Sequence, residues 1–416
     1  MVRITFYGIA AASDEQRWFY TVPFGLDGAL LAQHAVAVRL SLPPKHYVDS
    51  FVYFSLRRRY FVLDVRRAEA PPEIGWGDPL VQRLIVDLVQ RRVITPPVRS
   101  PRFIDPVAWS PSERYLLYRV ARNVPAWQVG AESAYVERAE KTLRLLDLQT
   151  NRESPLPKEI AQAGGAGFFA EQPDTIWALP REAAKEYSSL NAIFPLEPAR
   201  VPKPLALPSP RWIYRIASRR LERMDVAQYR ALQENWDYLR WQLGGEGVGW
   251  LGGSSLYAQV LAPLRDKLLA SGAIQPPDAR LFATVLQVGE RVLLLEVEST
   301  PSPTHTGEMF RPLSQYYLVE RARPEEPRLV GVVSREVELV ENAGRVWIIV
   351  SEQPCERLLV LDGKQGYFEQ ANPNDPSLKA RGVAAQWLCA DLKRQICAWL
   401  QQQGVQGADL ICGKWC

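Results

Sequence analysis

Histidine and methionine are the scarcest informative residues here, three of each among 416. His34, His46 and His305 are far apart and share no H-x-H or H-x-x-H spacing, so metal binding by His is poorly supported and imidazole bases are few. No apolar run reaches the roughly 20 residues needed for a membrane-spanning helix. No charge of one sign dominates either. The formal net charge of +4 leaves no broad basic footprint of the kind a dedicated nucleic-acid binder carries. The opening stretch MVRITFYGIAAASDEQ imitates a signal peptide, but its apolar segment is too short for one. Arg3–Ile9 reads as a strand instead. A cytoplasmic location is therefore expected, with a periplasmic or extracellular one as the alternative if a leader was removed.

Cysteine is sparse and uneven. Of five, Cys355 stands alone, while Cys389, Cys397, Cys412 and Cys416 crowd the C-terminal tail. Three readings stay open for that tail: buried thiols, one or two disulfides among these four residues, or, least suited by spacing, a metal site.

What the chain does have is punctuation and aromatic bulk: 33 Pro, 13 Trp and 16 Tyr. Large aromatics suit sheet faces. The clearest segment is Asp105–Pro157. DPVAWSPSERYLLYRV gives a strand, a Trp-Ser-Pro break, a charged turn and a second strand. KTLRLLDLQTNRESPLP adds a third strand that ends in Asp147 and a polar turn. Weaker copies follow the same order at 50–95, 168–205, 280–333, 337–370 and 383–415, separated by turns such as Gln172-Pro-Asp174, Asn342-Ala-Gly344 and Asp362-Gly-Lys364. A period of about forty to sixty residues between such turns indicates radially repeated four-stranded sheets. The 78–92 stretch also admits a helix, but RLIVDLVQRRVIT matches the end of the repeat, so a strand is expected.

The segment containing Trp109-Ser110-Pro111-Ser112-Glu113 and Asp147-Leu148-Gln149-Thr150-Asn151 resembles the PD40, or WD40-like, repeat of TolB-type β-propellers. In that family the break is WSPDG and the later turn D-L-x-T-G. Ser112-Glu113 replaces the family's Asp-Gly, which leaves the turn type open. The resemblance implies an all-β propeller, with seven blades expected and six as the alternative count. The last blade, over 383–416, would be closed by the N-terminal strands. It also implies a binding platform, since propellers of this family mostly act as such.

One stretch breaks the repeat. In 226–243 Tyr229, Leu232, Trp236, Leu239 and Leu243 recur every three or four residues, a helical face. A second helical stretch spans 255–271, so a helical hairpin is expected within 218–272. Trp236, Arg240, Trp241 and Trp250 are the candidate partner-binding residues, because Trp and Arg dominate binding hot spots. The competing reading is that they dock the hairpin onto the ring.

Catalytic constellations are missing. No G-x-S-x-G occurs, and Gly252-Gly253-Ser254-Ser255 reads as a helix start. The glycine-rich 244–253 stretch lacks a P-loop lysine and follows a helix rather than a strand. Glu325, Glu326, Glu336 and Glu338 read as solvated charge on turns and strand exteriors. Arg57-Arg58-Arg59, Arg91-Arg92 and Arg219-Arg220 read as solvated turns. The expectation is a non-catalytic propeller that holds a protein partner, with no catalytic residue, metal or cofactor assigned and nucleic acid disfavoured. The alternative is a small-ligand or enzymatic site, hydrolase- or lyase-like, in the central funnel.

Overall fold

The computed structural model describes residues 3–11, 16–55, 58–68, 78–125, 135–169, 172, 174–179, 194–195, 212–225, 270, 280–288, 291–300, 313–320, 322–335, 337–342, 344–351, 357–372, 375, 377–405 and 409–411. These residues form six sheets, each built on four successive antiparallel strands or nearly so. Sheet I contains β1 (Arg3–Ala11), β2 (Gln16–Gly25) and β3 (Val36–Ser41). Sheet II is β4 (His46–Phe54), β5 (Tyr60–Arg67), β6 (Leu80–Asp87) and β7 (Arg92–Ile94). Sheet III is β8 (Arg102–Trp109), β9 (Tyr115–Pro125), β10 (Tyr135–Asp147) and β11 (Arg152–Ser154). A one-turn helix, α1 (Lys158–Ala161), leads into sheet IV: β12 (Gly165–Phe168), β13 (Thr175–Leu179), β15 (Trp212–Arg215) and β16 (Arg220–Arg223), with the short β14 (Phe194–Pro195) going elsewhere. Within the 78–92 stretch Leu80–Asp87 is strand, as expected, and 88–91 is the turn into β7.

Sheet V is β17 (Arg280–Val288), β18 (Val292–Thr300), β19 (Ser314–Glu320) and β20 (Arg323–Val333), with β14 on its first edge. Sheet VI is β21 (Val337–Asn342), β22 (Arg345–Ser351), β23 (Arg357–Asp362) and β26 (Val383–Leu388). Between β23 and β26 the chain makes a hairpin, β24 (Tyr367–Glu369) and β25 (Lys379–Arg381). This hairpin leaves its own sheet and pairs with β20 in parallel. Gly331 permits the approach, since a Cβ there would meet the Phe368 ring at 2.0 Å.

The fold is a β-propeller. Adjacent sheets bury apolar faces on each other in chain order. Tyr7 and Phe19 meet Phe61 and Leu63 between I and II. Tyr60 and Ile85 meet Trp109 and Tyr118 between II and III. Leu117 and Leu145 meet Phe168 and Ile176 between III and IV, and Tyr316 and Val330 meet Leu339 and Ile348 between V and VI. Sheet VI then packs on sheet I through Trp347, Ile349 and Val360 against Ile4, Phe6 and Phe24. The C-terminal strand β27 (Asp409–Ile411) joins β1, so the two ends of the chain share one sheet and cover its edge.

The tail differs from the expected last blade over 383–416. Val383–Leu388 completes sheet VI, and Cys389–Gln402 is a helix, α2. Leu392, Ile396, Trp399 and Leu400 follow a helical spacing and bury against sheets I and VI. The Gln395 amide then bridges the junction: its oxygen accepts from Leu30 N at 3.0 Å and its nitrogen donates to Gly28 O at 2.8 Å.

The repeat has a physical basis in its turns. In sheet II the Ser55 hydroxyl accepts from Arg59 N and Tyr60 N, and in sheet III Ser110 accepts from Tyr115 N. The third strands end in Asp87, Asp147 and Asp362, whose carboxylates accept two backbone N–H groups of the following turn. The other oxygen of each is paired with an arginine at the start of the second strand: Arg59 at 3.1 Å, Arg114 at 2.9 Å and Arg345 at 3.2 Å. Each guanidinium lies over a nearby aromatic ring, respectively Tyr60, Tyr115 and Trp347. Asp147 is thus a turn former tied to a cation–π contact. The open question of the Ser112-Glu113 turn is answered by Glu113, which takes φ 55°, the left-handed region where the family's glycine would sit.

Candidate functional site

Three clusters of polar groups among the described residues bear on a site. The first is the ring of β-turns that join first to second strands. The Ser55 hydroxyl of sheet II donates to the Glu113 carboxylate of sheet III at 2.5 Å, and Ser112 of sheet III donates to Asp174 of sheet IV at 2.5 Å. Arg58 reaches Glu338 of sheet VI at 3.3 Å while lying over the rings of Tyr7 in sheet I and Phe54 in sheet II. The reading of solvated charge is corrected for Glu338, which is buried, and for Arg58, Arg59 and Arg92: Arg58 and Arg92 tie sheet II to other sheets, Arg92 donating to Leu148 O at 3.1 Å, and Arg59 pairs with Asp87 inside sheet II. Sequence could not show this, because the partners lie up to 280 residues apart. The solvated reading holds for Glu326, Arg91, Arg219 and Arg220, which are exposed, while Glu325 falls in β20 and Glu336 and Arg57 lie outside the described residues.

The second place is Arg83, only 2% exposed. Its Nε donates to Asp64 at 2.8 Å, Nη1 to Ile104 O at 3.1 Å, and Nη2 to both Glu137 oxygens at 3.1 and 3.0 Å. Asp105 stands 3.7 Å from Nη1. Burial holds the Asp64 and Asp105 carboxyls above the usual range, against the pull of Arg83. This cluster joins sheets II and III. Its cation is fully engaged, so it offers a ligand no vacant donor.

The third is a cleft of about 660 Å³ between sheets V and VI. Apolar Val292, Leu318 and Val346 line it, together with five cations, Arg291, Arg323, Arg328, Arg345 and Lys364, against three carboxylates, Glu320, Glu326 and Asp362. Most are fixed in place. Arg328 donates to Gly366 O at 3.1 Å and to Gly363 O, and burial lowers its pKa. Arg323 pairs with Glu320 at 3.0 Å and Glu326 at 3.2 Å. Burial works against the charge of Asp362, but the N–H groups of Lys364 and Gln365 and the Arg345 guanidinium outweigh it and hold the carboxyl below the usual range. The exposed Lys364 ammonium has no carboxylate partner among the described residues. Nothing lining the cleft is a Ser, Thr, Cys or His, so it offers no hydroxyl or thiol nucleophile and no imidazole base.

The residues singled out in the sequence fall elsewhere. Trp236, Arg240, Trp241 and Trp250, the 218–272 hairpin beyond residue 225 apart from position 270, and the 244–253 glycines lie outside the described residues. So do Cys355, Cys412, Cys416 and His305. Cys389 and Cys397 share α2. At 1.5 Å rise per residue they stand about 12 Å apart along its axis, too far to pair with each other. His46 Nδ1 donates to Pro44 O at 2.8 Å. Among the described residues no group of three or more His, Cys, Asp or Glu is arranged to hold a metal ion, and no helix is long and apolar enough to cross a membrane.

No protein family matches the sequence, and no curated protein does. Among solved structures, a prolyl endopeptidase shares 8% identity over 92% of this chain and 50% of its own, with a TM-score of 0.31. An oligogalacturonate lyase in complex with manganese shares 11% over 84% of this chain and 71% of its own, at 0.29. The C-terminal WD40 domain of Sif2 shares 8% over 87% and 83%, at 0.27. The chain spans about half the length of the prolyl endopeptidase. At these identities and scores the likeness says nothing about activity.

Proposed function

We propose that this chain is a non-catalytic β-propeller, a platform that holds an acidic, extended protein segment in the cleft between sheets V and VI. One observation carries the reading: five cations against three carboxylates line the cleft beside Val292, Leu318 and Val346, and the exposed Lys364 ammonium has no carboxylate partner among the described residues. An unpaired ammonium beside a local excess of positive charge can meet a carboxylate without breaking a bond already made. The Trp236, Arg240, Trp241 and Trp250 segment is the proposed second contact. A photo-crosslinking residue at position 364, expressed in the native host, tests the idea against the same residue at Val89, which is 70% exposed on sheet II. The expected result is a protein adduct at 364 that is absent at 89 and lost in R323E. Identical adducts at both positions, or adducts indifferent to R323E, overturn the proposal.

The alternative, a hydrolase- or lyase-like site, draws on Asp64 and Asp105, whose raised pKa values suit proton transfer. Against it stands the engagement of both carboxylates by Arg83.

A further inference from the structure

The strand register of sheet III lays three arginines side by side. Arg102 of β8 stands directly opposite Arg122 of β9, and Arg122 directly opposite Arg138 of β10. All three are exposed. Like charges directly opposite each other on neighbouring strands are unfavourable, so this ladder weakens the sheet that carries it. Glu140 answers only part of the charge, at 3.5 Å from Arg102 and 3.6 Å from Arg144. Neither Arg122 nor Arg138 has an ion pair among the described residues.

The ladder borders a built recess. Between Ala139 and Leu143 the register of β10 shifts, so that Glu140-Lys141-Thr142 bulge out of the pairing. Bulges re-aim side chains beside binding sites, and this one brings Lys141 to the same place. Ala121 and Ala139, opposite each other in register, supply small side chains there. Together these residues enclose about 460 Å³, lined by Arg102, Arg122, Arg138 and Lys141 against Glu140 alone. With strands about 4.8 Å apart, the three guanidinium stems span about 10 Å.

We infer that this recess is an anion site for a small phosphate-chain ligand, inorganic or carried on a nucleoside. Guanidinium groups bind phosphate oxygens two at a time, and a row of three matches several linked phosphates rather than one. The enclosed volume suits a small molecule. A nucleic-acid strand would need a continuing basic track, and the chain as a whole carries only a small net charge.

Calorimetry with inorganic tripolyphosphate, at about 50 mM and about 200 mM salt, is the test. The full chain should bind it, and R122Q should weaken binding by about tenfold to a hundredfold, the loss of one charge-assisted contact. Without ligand, R122Q should unfold no lower than the parent, because a repulsive pair has been removed. R138Q provides the same test if R122Q does not fold. R323Q, in the cleft between sheets V and VI, should leave tripolyphosphate binding unchanged. The inference is overturned by no binding at millimolar tripolyphosphate, by R122Q and R138Q both within about twofold of the parent, by an equal loss in R323Q, or by an oligothymidylate binding more tightly than tripolyphosphate.

Discussion

Replacing Arg83 by Met removes one buried cation and leaves its carboxylates behind. The cost follows from who is buried. Asp64 is 6% exposed in its side chain, Asp105 27% and Glu137 42%. Glu137 can turn to water, so its lost pair counts for little. Asp64 cannot, and it loses its 2.8 Å charge-assisted bond. Breaking a buried pair from one side costs about 3–5 kcal/mol, and that is the loss expected near neutral pH. The pH dependence has a definite sign. Asp64 and Asp105 are already raised by burial, against the opposing pull of Arg83. Without that pull they rise further. A carboxyl whose folded pKa exceeds its unfolded value binds more protons when folded, so stability falls as pH climbs from the unfolded value of about 3.9 through the folded one. The deficit of R83M should therefore be largest at neutral pH and shrink toward about pH 5. The double variant R83M/D64N should recover at least half of it and flatten the pH profile. Urea unfolding followed by Trp fluorescence and by circular dichroism measures this, provided the two probes agree on one transition. A loss under about 1 kcal/mol, or one that grows at acid pH, would refute the reasoning.

Three further outcomes are expected. Asp147→Ala removes acceptors for Gln149 N, Thr150 N and Arg114 and should cost about 2 kcal/mol, whereas Asp147→Asn keeps the turn bonds and should lose about 1 kcal/mol or less, since Arg114 is 43% exposed; denaturant midpoints separate the two. Gly331→Ala should cost about 1–3 kcal/mol by overpacking against Phe368 and expose the β24–β25 hairpin to limited proteolysis, while the rest of sheet V stays resistant. Glu113→Gly relieves a left-handed φ worth about 1–2 kcal/mol but deletes the bond from Ser55, worth about 1.5–3 kcal/mol, so a net loss of about 1 kcal/mol is expected; a gain in thermal stability would show that the bond contributes nothing.

The sheets were legible where period and turn chemistry agreed. Arg3–Ile9 is legible as a strand from an apolar run too short for a signal peptide, and Leu80–Asp87 from the match of RLIVDLVQRRVIT to the end of the repeat. The 389–402 helix is hard to tell from strand in the sequence because AAQWLCADLKRQICAWL carries short apolar runs that fit either period. Spacing four, three and one between Leu392, Ile396, Trp399 and Leu400 held the answer. A second signal went unused: Ser55-Leu-Arg-Arg-Arg-Tyr60 and Ser110-Pro-Ser-Glu-Arg-Tyr115 share Ser, Arg and Tyr at equal spacing, and those residues build the same turn. The polar clusters were not legible at all. Arg83 meets Asp105 and Glu137 across two sheets, and the arginine ladder exists only through register, a long-range property that local pattern does not encode.

A regular blade spends its polar groups on itself. Asp87, Asp147 and Asp362 close turns, their arginines lie on aromatic rings, and serine hydroxyls tie one turn to the next blade. Such groups are poor recognition elements, because a ligand would have to replace bonds already made. Charge becomes available where the regular pairing of a blade is broken. The β24–β25 hairpin crosses from sheet VI to sheet V, and the Asp362–Lys364 turn that leads into it lines the cleft. The bulge in β10 shifts register and leaves Arg122 and Arg138 facing each other with one carboxylate among four cations. Both departures cost stability that a uniform blade would keep, through a glycine held against Phe368 in one case and opposed like charges in the other. Stability given up at two places in an otherwise self-satisfied ring is the physical reason to look for ligands there first.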